Sequence, residues 1–226
     1  MKIKVCGMRD AENIRGVMSL GIDFMGFIFW QGSPRYVKNI PIRAGIIPDK
    51  ANADIKDNAV GESVKRVGVF VDEMPQTVIT QVYNYHLDYI QLHGDESPVY
   101  IDNLKRTLIP DIAPDVKVIK ALSIREADDV KRWREYKDTA DMFLFDTKCA
   151  SVGGSGRKFD WAVLDAYDGD IPFLLSGGIG PDDADEVRAF SHPQCIGIDL
   201  NSKFETAPAI KDIDKLKQFI EKIRKQ

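Results

Sequence analysis

Cysteine is scarce in this chain: Cys6, Cys149 and Cys195 are an odd number in 226 residues, and no two stand at CxxC spacing. That argues against a disulfide framework and against a zinc ribbon, and for free thiols in a reducing cytosol. Positive charge is not in excess either, since 31 Lys and Arg face 35 Asp and Glu for a net charge of -4. Without a basic stripe, nucleic acid is not an expected partner. No apolar run approaches the roughly 20 residues of a membrane-spanning helix, so no membrane partner is expected. The opening "MKIKVCGMRD" starts at once on an alternating strand pattern, so no secretory leader is expected. A GxGxxG after the first strand is also lacking, which weakens the case for an open, doubly wound dinucleotide-binding sheet. What is present is the composition of a soluble globular domain, 44% apolar and 29% charged, long enough to bury a full core.

Short apolar runs recur along the chain: "IKVC" (3–6), "FMGFIF" (24–29), "RVGVFV" (66–71), "DYIQLH" (88–93), "VKVIKA" (116–121), "DMFLFD" (141–146), "IPFLL" (171–175) and "CIGIDL" (195–200). Between them lie helix-like segments at 10–20, 75–85, 97–108, 124–136, 181–190 and 210–223, the first with Asp10 as its N-cap. Runs apolar throughout imply a sheet covered on both faces, and strand–helix alternation implies parallel pairing. Eight such units predict a single-domain α/β fold, a closed (β/α)₈ TIM barrel over residues 1–226. Residues 38–65, with two prolines and many polar groups, fit neither pattern and read as a polar excursion or a mobile loop.

In such a barrel, chemistry belongs at the C-terminal ends of the strands. Those ends carry Cys6-Gly7, Phe29-Trp30, Val71-Asp72, Gln91 to Gly94, Lys120-Ala121, Asp146-Thr147, Ser176 to Gly178 and Asp199 to Asn201. Each has a plain structural reading beside the functional one. Cys6 is either a small buried hydrophobe or a reactive thiol at a strand end. Asp146 is either a turn residue or a carboxyl at the mouth of an apolar barrel, suited to act as a general acid. His93 is a rim histidine or a ligand contact, while His86 and His192 read as structural. "SGGI" (176–179) after strand seven is where such barrels often bind phosphate.

Taken in order, "KVCGMRD", "GFIFWQGSPRYV", "VGVFVD", "DYIQLHGDE", "VIKAL", "FLFDTK", "GGSGRKFDW", "LLSGGI" and "GIDLNSKFE" resemble the phosphoribosylanthranilate isomerase family over nearly the whole chain. The resemblance implies an aldose–ketose isomerase of tryptophan biosynthesis that needs no metal or organic cofactor. Its reaction is the Amadori rearrangement of N-(5-phosphoribosyl)anthranilate to 1-(2-carboxyphenylamino)-1-deoxyribulose 5-phosphate. Carried over residue by residue, Asp146 is the general acid that opens the sugar ring and Cys6 the base that removes the C2′ proton. Arg35 of "SPRYV" pairs with the anthranilate carboxylate, Asp199 holds ribose hydroxyls or supports the acid–base pair, and His93 lines the pocket. Gly177, Gly178, Asn201 and Ser202 bind the phosphate, and "GGSG" (153–156) serves as a lid. A monomer or weak homodimer in the cytoplasm is expected, with a small-molecule phosphosugar substrate as partner.

The chain departs from the family pattern at "NSKFE", where Lys203 replaces a glycine beside the phosphate turn; we read its side chain as pointing to solvent. Two other functions are compatible with these motifs. One is a different phosphosugar isomerase or aldolase-like barrel, which would not need Arg35. The other is a non-catalytic phosphometabolite-binding protein, in which Cys6 and Asp146 would be incidental.

Overall fold

The computed structural model describes residues 1–38, 64–147 and 160–225. Each apolar run forms a strand: β1 (Lys2–Val5), β2 (Phe24–Ile28), β3 (Lys65–Phe70), β4 (Tyr89–Leu92), β5 (Lys117–Ile124), β6 (Met142–Thr147), β7 (Phe173–Ser176) and β8 (Cys195–Leu200). Every strand pairs in parallel with its successor, and β8 returns to β1, closing the barrel. The closing register sets Lys2 opposite Gly197 and Lys4 opposite Asp199.

Around the barrel lie α1 (Ala11–Met18), α2 (Pro75–Tyr85), α3 (Pro98–Leu108), α4 (Ala127–Val130), α5 (Trp133–Tyr136) and α6 (Ala184–Ala189). The chain ends in a small hairpin, β9 (Glu205–Ala207) and β10 (Ile210–Lys211), and α7 (Ile213–Arg224). The helix starts follow ordinary capping chemistry. Asp10 accepts from the Asn13 N–H, Ser97 from Tyr100 and Asp212 from Lys215. Pro75 and Pro98 occupy first turns, where a missing N–H costs nothing.

Three expected helices change shape. The segment 124–136 divides, because β5 runs on to Ile124, which pairs with Thr147, and two one-turn helices follow. The helix expected at 181–190 opens with a 3₁₀ turn, Pro181–Asp183, and only Ala184–Ala189 is α-helical. The last helix starts at Ile213 rather than 210, since Asp212 is its cap and Ile210–Lys211 pair in the hairpin. A 3₁₀ helix at Trp161–Ala166 was not legible. Most of the polar excursion at 38–65 and the "GGSG" segment lie outside the described residues. Among the described residues no helix is long and apolar enough to cross a membrane.

The pleat sorts side chains into two cores. Phe24, Val67, Ile119, Ala121, Met142, Leu144 and Leu174 fill the barrel. Their neighbours along the strands, such as Phe143, Phe145 and Phe173, turn outward and pack under the helices. Lys120 has this outward parity, so it does not join the rim set that strand ends suggested. Its Nζ lies 2.9 Å from Glu96 Oε2, with both side chains 1% exposed. Nζ also donates to the Gly94 carbonyl at 2.6 Å, while Glu96 accepts from the N–H groups of Asp72 and Gly94. This pair ties the turns after β3 and β4 to β5, outside the barrel wall.

Replacing Lys120 with Met strands the Glu96 carboxylate in the core. We expect Lys120→Met to cost about 3–5 kcal/mol in urea unfolding, and the double change with Glu96→Gln to recover part of that loss. Equal stability of the single and double variants would contradict the pairing.

Candidate active site

Where β1 ends, Cys6 continues the inward parity of Lys2 and Lys4, and its N–H bonds the Leu200 carbonyl at 2.9 Å. The thiol is 4% exposed. Gly26 on β2 makes room for it, since a Cβ there would come within 2.7 Å of the sulfur. Gly7, with φ +80°, turns the chain away, and a side chain there would strike Arg35 Cδ at 2.6 Å. The inward residues at the same level form one cleft of about 220 Å³, whose lining includes Cys6, Gln91, His93, Asp146, Ser176 and Asp199. Gly177, Gly178, Asn201, Ser202 and Lys203 border it on the β7–β8 side. A wider hollow of about 400 Å³, between α1 and α7, lies at the opposite end of the barrel from these groups.

Burial pushes the Cys6 thiol up, while the cations Lys4 and Lys211 work against that shift. Asp199 is fixed from two sides: Lys4 Nζ donates to Oδ1 at 2.9 Å and Ser176 Oγ to Oδ2 at 3.3 Å. Asp146, the penultimate residue of β6, stands opposite Ser176, and its Oδ2 lies 3.6 Å from His93 Nε2. His93 Nδ1 in turn meets the Gln91 amide nitrogen at 2.9 Å. Gln91 is 1% exposed, and its Oε1 is a buried acceptor with no partner among the described residues. A buried acceptor left unpaired costs about 1–3 kcal/mol, so this oxygen suits a donor on a molecule entering the cleft.

The glycine turn is shaped by necessity. Gly177 and Gly178 have φ of +106° and +68°, and a Cβ on Gly177 would lie 2.0 Å from the Thr147 carbonyl oxygen. A Cβ on Gly178 would meet nothing within 4 Å, so its backbone faces open space. The Gly180 N–H is already taken, donating to Asp183 Oδ2 at 2.7 Å. With α6 only 6 residues long, an anion here would rest on loop N–H groups more than on a helix dipole. Lys203 is exposed but borders the cleft, its Cβ and Cγ beside Gly180. The 3₁₀ turn Ser202–Phe204 buries Phe204 and leaves the Lys203 side chain exposed at the edge of the glycine loop.

Arg35 stands just outside the cleft lining. Its Nε and Nη2 hold Glu205 bidentately, at 2.8 and 2.6 Å. Lys211 Nζ joins the same carboxylate at 2.5 Å and donates to Asn201 Oδ1 at 2.8 Å. Arg35 Nη1 has no partner among the described residues. Burial, the largest single influence on Glu205, pushes its carboxyl up, but the combined pull of Arg35 and Lys211 holds it below the usual carboxylate range. Glu205, Lys211, Lys4 and Gln91 were not singled out from sequence. Lys4 and Gln91 carried a signal, a polar group at inward parity in an apolar run. His192 packs against Phe173 and Tyr167, with Nε2 3.2 Å from the Tyr167 carbonyl, away from the cleft.

The family model for N-(5'-phosphoribosyl)anthranilate isomerase matches residues 3–222. A protein of that name from Parabacteroides distasonis is 45% identical over 223 residues, covering 99% of this chain and 93% of the relative. One from Phocaeicola vulgatus is 41% identical over 226 residues, covering 100% and 99%. Among solved structures, the phosphoribosyl anthranilate isomerase of Thermus thermophilus superposes with a TM-score of 0.73 at 28% identity, covering 99% and 98% of the two chains. Another isomerase, in complex with reduced 1-(o-carboxyphenylamino)-1-deoxyribulose 5-phosphate, gives 0.70 at 26% identity over the same shares. With the barrel closed and the strand-end groups gathered in one cleft, sequence and structure agree: this chain belongs to the N-(5'-phosphoribosyl)anthranilate isomerase family.

Proposed function

We propose that this chain catalyses the family's Amadori rearrangement of N-(5'-phosphoribosyl)anthranilate, with Asp146 as general acid and Cys6 as general base. The observation that carries this assignment is that a thiol from β1 and a carboxyl from β6 face the same cleft, separated around the barrel by β7 and β8. Asp146 gives its proton to the ribose ring oxygen as the bond from that oxygen to C1′ breaks and the nitrogen lone pair forms the iminium. The Cys6 thiolate then takes the C2′ proton, and the electron pair of that C–H bond flows back to the iminium nitrogen. The enolamine that results tautomerises to the ketone. His93, beside Asp146, orients the acid, and the Gln91 oxygen receives a hydroxyl or N–H of the substrate.

The phosphate rests on N–H groups of Gly177 and Gly178, whose positive φ opens the backbone toward the cleft, and of the Asn201-Ser202 turn. Lys203 adds a cation at that end. Arg35 receives the anthranilate carboxylate through its Nη1 edge, which has no partner among the described residues, steadied by Glu205; a guanidinium is suited to bidentate pairing with a carboxylate. Asp199, already held by Lys4 and Ser176, supports the acid–base pair from below. We propose also that the chain works as a monomer or weak homodimer, and in a reducing cytosol, the latter reading supported by the free thiols of Cys6 and Cys195.

Loss of the substrate's fluorescence on turnover tests the activity directly. Cys6→Ser keeps the size of the side chain but not its acidity, so kcat/KM falls by about 10²–10⁴-fold with an unchanged thermal midpoint. Because burial raises the thiol and the thiolate is the active form, wild-type kcat/KM climbs with pH through and beyond the ordinary thiol range near 8.5. Near-wild-type turnover by Cys6→Ser would remove the base assignment.

For Asp146→Asn, kcat drops at least about 10²-fold while KM changes little; a raised KM with kcat intact would make Asp146 a binding residue. At the phosphate end, inorganic sulfate competes with substrate. Lys203→Gly raises KM by about two- to fivefold at low ionic strength and less at high salt. A KM indifferent to both salt and substitution would place Lys203 outside the site.

A further inference from the structure

A lysine with no exposed surface needs a chemical reason. Lys4 is 0% exposed and lies two residues before Cys6, so one pleat turns both side chains into the same interior. Its register partner across the ring closure is Asp199, and its Nζ sits 2.9 Å from Oδ1. The same ammonium, turned into the same interior as the Cys6 sulfur, favours its thiolate form against the larger effect of burial. An apolar side chain of similar volume would fill this layer without the desolvation that an ammonium suffers, so packing alone does not account for a lysine.

The charges facing Cys6 come from several elements. Lys4 stands on β1, Asp199 on β8, Arg35 on the loop after β2, Glu205 on β9 and Lys211 on β10. His93 and Asp146 face it from across the cleft. Around the sulfur itself, three cations meet two carboxylates, and a thiolate at Cys6 brings that group to neutrality.

We propose that Lys4 is a positioning residue for the isomerisation: its ammonium, anchored on Asp199, is the counter-ion of the thiolate that Cys6 forms when it acts as the base. The inference rests on the reading of Cys6 as the base. When the sulfur takes the C2′ proton, the S–H bond forms, the C–H electron pair stays with the substrate, and Lys4 keeps both its proton and Asp199.

The direct measurement is the pH dependence of Cys6 alkylation by iodoacetamide in the full-length protein, read by mass spectrometry on the Cys6 peptide. Lys4→Met shifts the midpoint up by about 1–3 pH units, and the rising limb of kcat/KM moves with it. Asp199→Asn, which removes the competing carboxylate, shifts the midpoint down. Lys4→Met with Asp199→Asn, a neutral pair, lies between the two, and Lys4→Arg stays near wild type. Opposite shifts from the two partners of one ion pair are not produced by loosened packing, which moves both in the same direction. An unchanged midpoint in Lys4→Met, or shifts of equal sign, overturns the proposal. Should Lys4→Met fail to fold, a downward shift in Asp199→Asn upholds it and an unmoved midpoint there overturns it. Activity retained in Cys6→Ser refutes the base assignment alone, because the thiol titration does not depend on turnover.

Discussion

Alternation in a closed ring of strands governs this molecule. Each strand gives every second side chain to a shared interior, so one step of register decides whether a group joins the cleft or the helical layer outside. Lys120 and Ala121 show the rule at its sharpest. Ala121 packs in the barrel, whereas Lys120, one residue earlier, pairs with Glu96 on the far side of the wall. The same parity gathers Cys6, Gln91, His93, Asp146, Ser176 and Asp199 at one level, although they come from five strand ends spread along the chain.

Much of this was legible because buried parallel strands are apolar on both faces and stand out as short runs. All eight runs became strands, with ends moved by one or two residues except in β5, which runs three residues further. The helix ends were less legible, since a cap such as Asp212 looks like any other polar residue until the backbone around it is known. Cys6, His93, Asp146 and Asp199 could be proposed because a reactive group at the tip of an apolar run has few structural uses. Glu205 and Lys211 could not, for they sit in a polar stretch whose charges read as solvated surface. Their burial depends on a hairpin that folds back over the β1 tip. Arg35 was named for its guanidinium, but nothing in the sequence announced that Glu205 would hold it.

The site sets a desolvated sulfur among charges that are themselves paired. Burial alone would leave Cys6 a poor base, and a single nearby cation would be costly to bury. Distributing the charge over Lys4, Asp199, Arg35, Glu205 and Lys211 gives every ion a partner of opposite sign. The glycines complete the arrangement by their lack of a side chain: Gly26 beneath the sulfur, Gly7 beneath Arg35, and Gly177 against Thr147.

The bond from Lys4 to Asp199 joins residues 195 positions apart, one on the first strand of the barrel and one on the last. A growing chain emerging from the ribosome therefore presents the thiol and its lysine long before the carboxylate exists. Until β8 docks beside β1, the pocket has no floor on that side. Catalytic competence thus waits on one of the least local contacts in the fold. A chain in which β8 has not docked lacks the Asp199 end of that bond, so activity doubles as a quality check on complete ring closure.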